Sequence, residues 1–244
     1  MFRLQKELLD GYIKIESLPA YPVDLNTKES QILLKDFNAR ITEELGEAME
    51  SYLIILNDPD IQYTPELAKP HISNFNEELA DAMHFYLELL VYSGIKAKDL
   101  LPSIGETNHT SDLDLCLKRL KQEFPPVQNL LQNNPRIPHL EDSEKEGDSL
   151  LSGGTVWNQG VSISMKVILW DITYYLQMAR NTLKNKPWKQ TGMLTDERAY
   201  QRFLKIGFIK FLSLFVYLGV NDLEIFEVYA KKNAINKFRQ QSKY

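Results

Sequence analysis

Cysteine is almost missing from this chain: Cys116 stands alone among 244 residues. No disulfide can close within the chain, which suits a reducing compartment. Glycine and proline are also sparse, at eleven each. No stretch alternates convincingly at period two, so strands are expected to be few or absent. A membrane-length apolar run is lacking as well. The most apolar segment, "IGFIKFLSLFVYLGV" (206–220), is too short to span and is broken by Lys210. The opening "MFRLQKELLDGYIKIE" mixes charges among its apolar residues and has no signal-peptide core. Positive charge is not in excess either. A net charge of −5 argues against a polybasic membrane binder or a nucleic-acid-coating protein, although a local basic cluster or a bound metal could still recruit an anion. These absences together predict a soluble, cytoplasmic protein with no membrane partner and no direct nucleic-acid binding.

What is present is an ordinary globular composition, 43% hydrophobic and 25% charged, enough for a substantial core. Apolar residues recur at spacings of three and four in long stretches. "FRLQKELLDGYIKI" reads as a first helix, and "ESQILLKDFNARITEELGEAMESYLIIL" as a second, stopped by "NDPD". "NFNEELADAMHFYLELLVYSG" reads as a third, with Asn74 or Asn76 as its N-cap and Gly94 in the left-handed C-terminal position. A Pro-, Asn- and Gly-rich excursion with short helical pieces follows at about 125–160. Helical pattern resumes in "VSISMKVILWDITYYLQMARNTLKN". After a "KPWKQTG" loop come "DERAYQRFLKIGFIKFLSLFVYLG" and "VNDLEIFEVYAKKNAINKFRQQ". The expectation is an all-α helical bundle forming a single domain over 1–244.

Residues 83–100 and 208–225 align without a gap, placing Tyr92 on Tyr217 and glycine on glycine. Extended backwards, the alignment sets Glu78 opposite Phe203 and Asp81 opposite Ile206. An internal repeat whose second copy has lost its carboxylates would look like this. Two core helices obeying the same capping rules would too.

The carboxylates pose the chemical question. Glu44 and Glu47 stand three apart on the second helix, as do Glu78 and Asp81 on the third, so each pair shares a face. Like charges so placed repel. Acidic pairs are common on solvated helix faces, and Glu43 and Glu50 read that way. The other four have Leu45, Ala48, Met49, Leu79, Ala80, Met83 and Phe85 around them. Packed antiparallel, the two helices would gather four carboxylates, which need counter-charge in a low-dielectric setting. A hard divalent cation such as Mg²⁺, with oxygen ligands, supplies it, and a Mg-phosphate such as a nucleoside triphosphate is then the expected substrate. Asp81 and His84 also stand at i, i+3, half of a di-iron carboxylate pattern. Neither His71 nor His139 completes a second Glu-x-x-His, and His109, three after Glu106, falls in the polar stretch "GETNHT" without an apolar helical stripe, so this reading is disfavoured.

Glu44-x-x-Glu47 followed by Glu78-x-x-Asp81 resembles the all-α nucleoside triphosphate pyrophosphatases, which include the MazG proteins, dimeric dUTPases and phage dCTP pyrophosphatases. The ending "YAKKNAINKFRQQSKY" (229–244) is similar to the closing motif of the dimeric dUTPase and phage dCTPase branch. "KPWK" (186–189) and "LGVNDLEIFEVY" (218–229) resemble that branch as well, while Lys243 departs from the usual glycine. The resemblance implies that Glu44, Glu47, Glu78 and Asp81 bind Mg²⁺, one of them orienting the attacking water. It implies cleavage between the α- and β-phosphates, with Lys232, Asn233, Asn236, Arg239 and Tyr244 as donors to the phosphate chain. Without it, the basic tail would read as a solvated helix end. The resemblance also places a base-reading amide near the first helix, at Gln5, which could equally be an ordinary exposed residue. Trp157, Trp170 and Trp188 could stack on a base, with core packing as the default for each. The expected activity is hydrolysis of dUTP, with dCTP second, by a homodimer. A helical binding or regulatory protein without turnover is the alternative class.

Overall fold

The structure is a computed structural model that describes residues 1–58, 60–61, 64–100, 159–186, 188, 190 and 192–242. The 125–160 excursion, Cys116, Trp157, His109, His139 and Tyr244 therefore lie outside the described residues, apart from the last two positions of the excursion. Six α-helices account for most of what is described, and no strand occurs among the described residues. They are α1 (Phe2–Glu16), α2 (Lys28–Asn57), α3 (Ala68–Tyr92), α4 (Gln159–Thr182), α5 (Glu197–Tyr217) and α6 (Asp222–Ser242). The all-α expectation holds.

Local chemistry sets the helix ends. Thr27 caps α2 by accepting from the Ser30 N–H at 3.2 Å, and the Asp58 N–H closes it onto the Ile54 carbonyl at 3.0 Å. Asp196 caps α5 through the Ala199 N–H at 2.9 Å. The start of α3 corrects the sequence reading: neither Asn74 nor Asn76 is its cap. The helix begins earlier, out of a 3₁₀ turn at Pro65–Leu67, and has no side-chain cap. Pro70 does not prevent this, because the first helical turn has no intrahelical acceptor for its N–H groups. Asn74 instead donates to Ser51 Oγ at 2.8 Å on α2.

The buried stripe of α2 (Leu34, Ile41, Leu45, Ala48, Tyr52, Ile55) packs on α3. Phe37 stacks on Tyr92 with ring centroids 5.4 Å apart, and Tyr52 meets Phe75 at 6.1 Å, so the two helices run antiparallel. A second hairpin forms from α4 and α5, where Lys210 pairs with Asp171 at 2.9 Å. Asn38 joins the hairpins by donating to the Leu176 carbonyl at 2.9 Å. Gly207 lets α5 come close, since a Cβ there would run into the Tyr86 hydroxyl and lie 3.2 Å from Tyr175 Cβ. The loop after α4 is fastened by buried Asn185. Its N–H donates to Gln31 Oε1 (2.8 Å), its amide to the Asn26 and Met193 carbonyls (2.7 and 2.8 Å), and its Oδ1 accepts from the Met193 N–H (2.6 Å).

The ends of α3 and α5 share one bonding pattern at the offset of the sequence alignment. Gly94 and Gly219 take φ of 75° and 78°. The Ile95 N–H reaches the Leu90 carbonyl and the Val220 N–H reaches Phe215, both at 2.9 Å. Beyond each glycine a carboxylate caps the restart: Asp99 accepts from the Lys96 N–H and Glu224 from the Asn221 N–H, at 2.9 and 2.8 Å. Phe203, opposite Glu78, is packed against the core.

The last helix closes the bundle. Going up α6, Tyr229, Asn233, Lys237 and Gln240 contact Gln5, Leu4, Glu7 and Leu8 of α1, so α1 and α6 run parallel. Against α3, α6 runs antiparallel, with Tyr229 on His84 and Lys232 on Asp81 and Glu77.

Candidate active site

Antiparallel packing of α2 and α3 brings Glu44, Glu47 and Glu78 together, each offering a carboxylate oxygen within 4.8 Å of the others. Glu44 and Glu78 are half-buried and Glu47 is exposed. Burial pushes Glu44 up to about 8, and a hydrogen bond with Glu78 and the charges of Asp81, Glu78 and Glu47 push the same way. Glu78 is also raised, by burial first, while its hydrogen bond with Glu44 offsets part of this. Both shifts favour the neutral acid, as crowding of like charge among half-buried carboxylates dictates.

Asp81, the fourth predicted carboxylate, lies outside this tight group. Its Oδ2 accepts from Lys232 Nζ at 2.7 Å, and the same ammonium reaches Glu77 Oε1 at 2.8 Å. Burial raises Asp81, and the Lys232 contact cancels only part of that rise. Lys232 itself is raised: burial opposes this, but the bonds to Asp81 and Glu77 outweigh it. Lys232, predicted from the resemblance as a phosphate donor, is here the counter-ion of two α3 carboxylates. Glu77 is the residue that sequence reasoning missed. The available signal was its i, i+4 relation to Asp81, which puts both on one stripe of α3.

One turn further along α3 a buried polar seam begins. The His84 ring stacks on Tyr229 with centroids 4.4 Å apart, and its Nε2 lies 3.4 Å from the Tyr229 carbonyl oxygen. Burial lowers His84 to about 4, which favours the neutral ring in its stack on Tyr229. Gln5 is fully buried, which rules out the ordinary exposed residue. Its Nε2 donates to Glu88 Oε1 at 3.1 Å and its Oε1 accepts from the Tyr229 hydroxyl at 2.8 Å. Glu88 is pushed by burial up to about 8. Asn233 is also buried, its amide 3.4 Å from both the Leu4 carbonyl and the Tyr229 hydroxyl.

On α6, Lys232, Asn236 and Arg239 follow at i, i+4 and i+7 and share a stripe. Asn236 is half-buried and Arg239 exposed. The Arg239 charge helps to lower Glu77 and tempers the rise of Asp81, so it stands within electrostatic reach of the acidic group. The core-packing default fails for two tryptophans: Trp170 and Trp188 are 72% and 74% exposed, Trp188 beneath Lys186 Nζ at 5.2 Å from its ring.

The donor set fits a hard divalent cation. It consists of carboxylate oxygens alone, converging within 4.8 Å. Among the described residues no single helix is long and apolar enough to cross a membrane. In comparisons with known proteins, residues 156–244 match the model of the family described as dUTPase. Neither the curated proteins nor the solved structures searched gave a match. The matched segment takes in α4 to α6 with Lys232, Asn233, Asn236 and Arg239, and so over that part the chain is similar to dUTPases; the four carboxylates lie on α2 and α3, ahead of it.

Proposed function

We propose that this chain hydrolyses a deoxypyrimidine nucleoside triphosphate, dUTP first and dCTP second, to the monophosphate and pyrophosphate with the help of Mg²⁺, as in the dimeric dUTPase branch of the all-α pyrophosphatases. The observation that carries the reading is the Lys232–Asp81 contact at 2.7 Å. It joins the segment similar to dUTPases to the carboxylates that this similarity does not cover.

In this reading Glu44, Glu47, Glu78 and Asp81 hold Mg²⁺ and one of them orients water toward the α-phosphate. Bound Mg²⁺ would neutralise charge that develops on the phosphate oxygens. The stripe Lys232, Asn236, Arg239 offers donors along one line, with Arg239 suited to a bidentate phosphate contact. Asn233 and Tyr244 complete the donors implied by the closing motif. Gln5 would meet a base by turning its amide away from Glu88 or Tyr229. A second copy of the chain would have an apolar face to cover at Val167, Trp170 and Tyr174, which share one face of α4 and are 55%, 72% and 48% exposed.

The test is pyrophosphate release from dUTP, dCTP, dATP and TTP, with and without Mg²⁺, for wild type and Glu78→Ala. Metal-dependent release from dUTP that Glu78→Ala abolishes is the expected result. Full release by the variant would remove the metal-site assignment, and no release from any nucleotide would leave a binding protein.

A further inference from the structure

Glu77 has no part in the chemistry above, yet it holds one of the best-defined contacts in the region. Lys232 Nζ sits between Glu77 Oε1 at 2.8 Å and Asp81 Oδ2 at 2.7 Å, with the lysine side chain 9% exposed. The position of the ammonium is set by the helix pair itself. Tyr229, three residues before Lys232, stacks on His84, three residues after Asp81. The register of α6 on α3 is thereby pinned next to the ion pair. Glu77 differs from Asp81 in exposure, with its side chain 56% exposed against 21%. One carboxylate faces the rim and the other the acidic group.

We propose that Lys232 is the built-in counter-ion of Asp81 and that Glu77 is the positioning residue that shares it, so that Asp81 is surrendered to a divalent cation while Glu77 keeps the ammonium at the rim. The proposal rests on the reading of Glu44, Glu47, Glu78 and Asp81 as a metal site. The physical argument is competition for one oxygen. An ammonium hydrogen-bonded to Asp81 Oδ2 must withdraw, wholly or in part, before that oxygen can enter a cation's shell. A second acceptor one helical turn away lowers the cost of withdrawal, because the ammonium moves toward an existing partner and not into water. Phosphate oxygens of a bound nucleotide would draw the ammonium the same way. Cation and nucleotide binding then favour each other, a coupling that must be reciprocal.

The experiment measures Mn²⁺ affinity of nucleotide-free protein by titration calorimetry and by the loss of the free-ion EPR signal. Lys232→Met removes the competitor, and Mn²⁺ should bind on the order of 5- to 10-fold more tightly. Glu77→Gln leaves the ammonium to Asp81 alone, and Mn²⁺ should bind several-fold more weakly. In the double variant, Glu77→Gln should change affinity by less than about twofold, since there is no ammonium left to redirect. Unchanged or weaker binding by Lys232→Met overturns the proposal. So does a Glu77→Gln effect of equal size in both backgrounds, which would be a plain loss of charge. Glu77 is mostly exposed, so Glu77→Gln folds whatever becomes of Lys232→Met, and unchanged Mn²⁺ affinity in that single variant overturns the proposal. Wild-type protein that binds no Mn²⁺, or keeps its affinity in Glu44→Gln, would sink the metal site itself and is thus distinguishable from failure of this proposal.

Discussion

Glu88→Gln isolates a buried acid whose burden can be read from its surroundings. Glu88 is only 7% exposed, and its Oε1 accepts from Gln5 Nε2 at 3.1 Å. Burial lifts it from 4.5 to about 8, the nearby charge of Arg40 opposing only in part. An unfolded Glu88 releases its proton near the ordinary value, whereas the folded one keeps it until about 8. The native state thus holds the extra proton across that window, and the stability it carries is complete below the lower value and gone above the upper one. A rise of this size is worth on the order of 4 kcal/mol for a fully buried group. Glutamine keeps the acceptor for Gln5 and cannot ionise. The variant should match wild type within roughly 1 kcal/mol at about pH 5 and exceed it by roughly 3 kcal/mol at about pH 8. Urea unfolding followed by circular dichroism at several pH values, with metal chelated, measures both. Glu44 titrates in the same direction in both chains, so it cancels in the difference. Parallel pH curves for the two proteins would refute the reasoning.

Glu78→Ala relieves crowding around Glu44, so the metal-free variant should gain about 1 kcal/mol at mildly alkaline pH, a figure reduced for solvent screening, while pyrophosphate release falls at least about 100-fold; chemical denaturation and a coupled phosphate assay check the two halves. Arg239→Ala should raise KM several-fold and shift stability by less than about 0.5 kcal/mol, since the side chain is exposed; unchanged KM and kcat would reject its phosphate role. Asn185→Ala removes the side-chain bonds to Asn26 and Met193 and should cost roughly 2–4 kcal/mol in urea unfolding. Gly207→Val should cost about 2–3 kcal/mol by overpacking against Tyr86 and Tyr175, read from the melting temperature.

The helices were legible because their apolar stripes are long and their stops are strong. The pairing of Glu44 and Glu47 with Glu78 followed from the same periodicity once α2 and α3 were taken as antiparallel. Three features were not legible. The start of α3 was hidden because Pro70 reads as a breaker unless it falls in the first turn, and that depends on a 3₁₀ turn without a distinctive signature. The engagement of Gln5 was hidden because periodicity marks a glutamine as a surface residue, while Glu88 and Tyr229, which satisfy it, come from helices 83 and 224 positions away. The pairing of Lys232 with Asp81 and Glu77 was hidden because the resemblance of the closing motif implies a phosphate contact and nothing local names carboxylate partners 151 and 155 positions earlier. Long-range polar pairing is set by tertiary register, and a local pattern carries little of it.

The ammonium that balances Asp81 and Glu77 is encoded 155 positions after Glu77. During synthesis, then, the acidic pairs of α2 and α3 leave the ribosome long before their neutralising lysine is made. A chain halted anywhere ahead of α6 would present those carboxylates with that balance withheld, and the site is assembled only once α6 has been made.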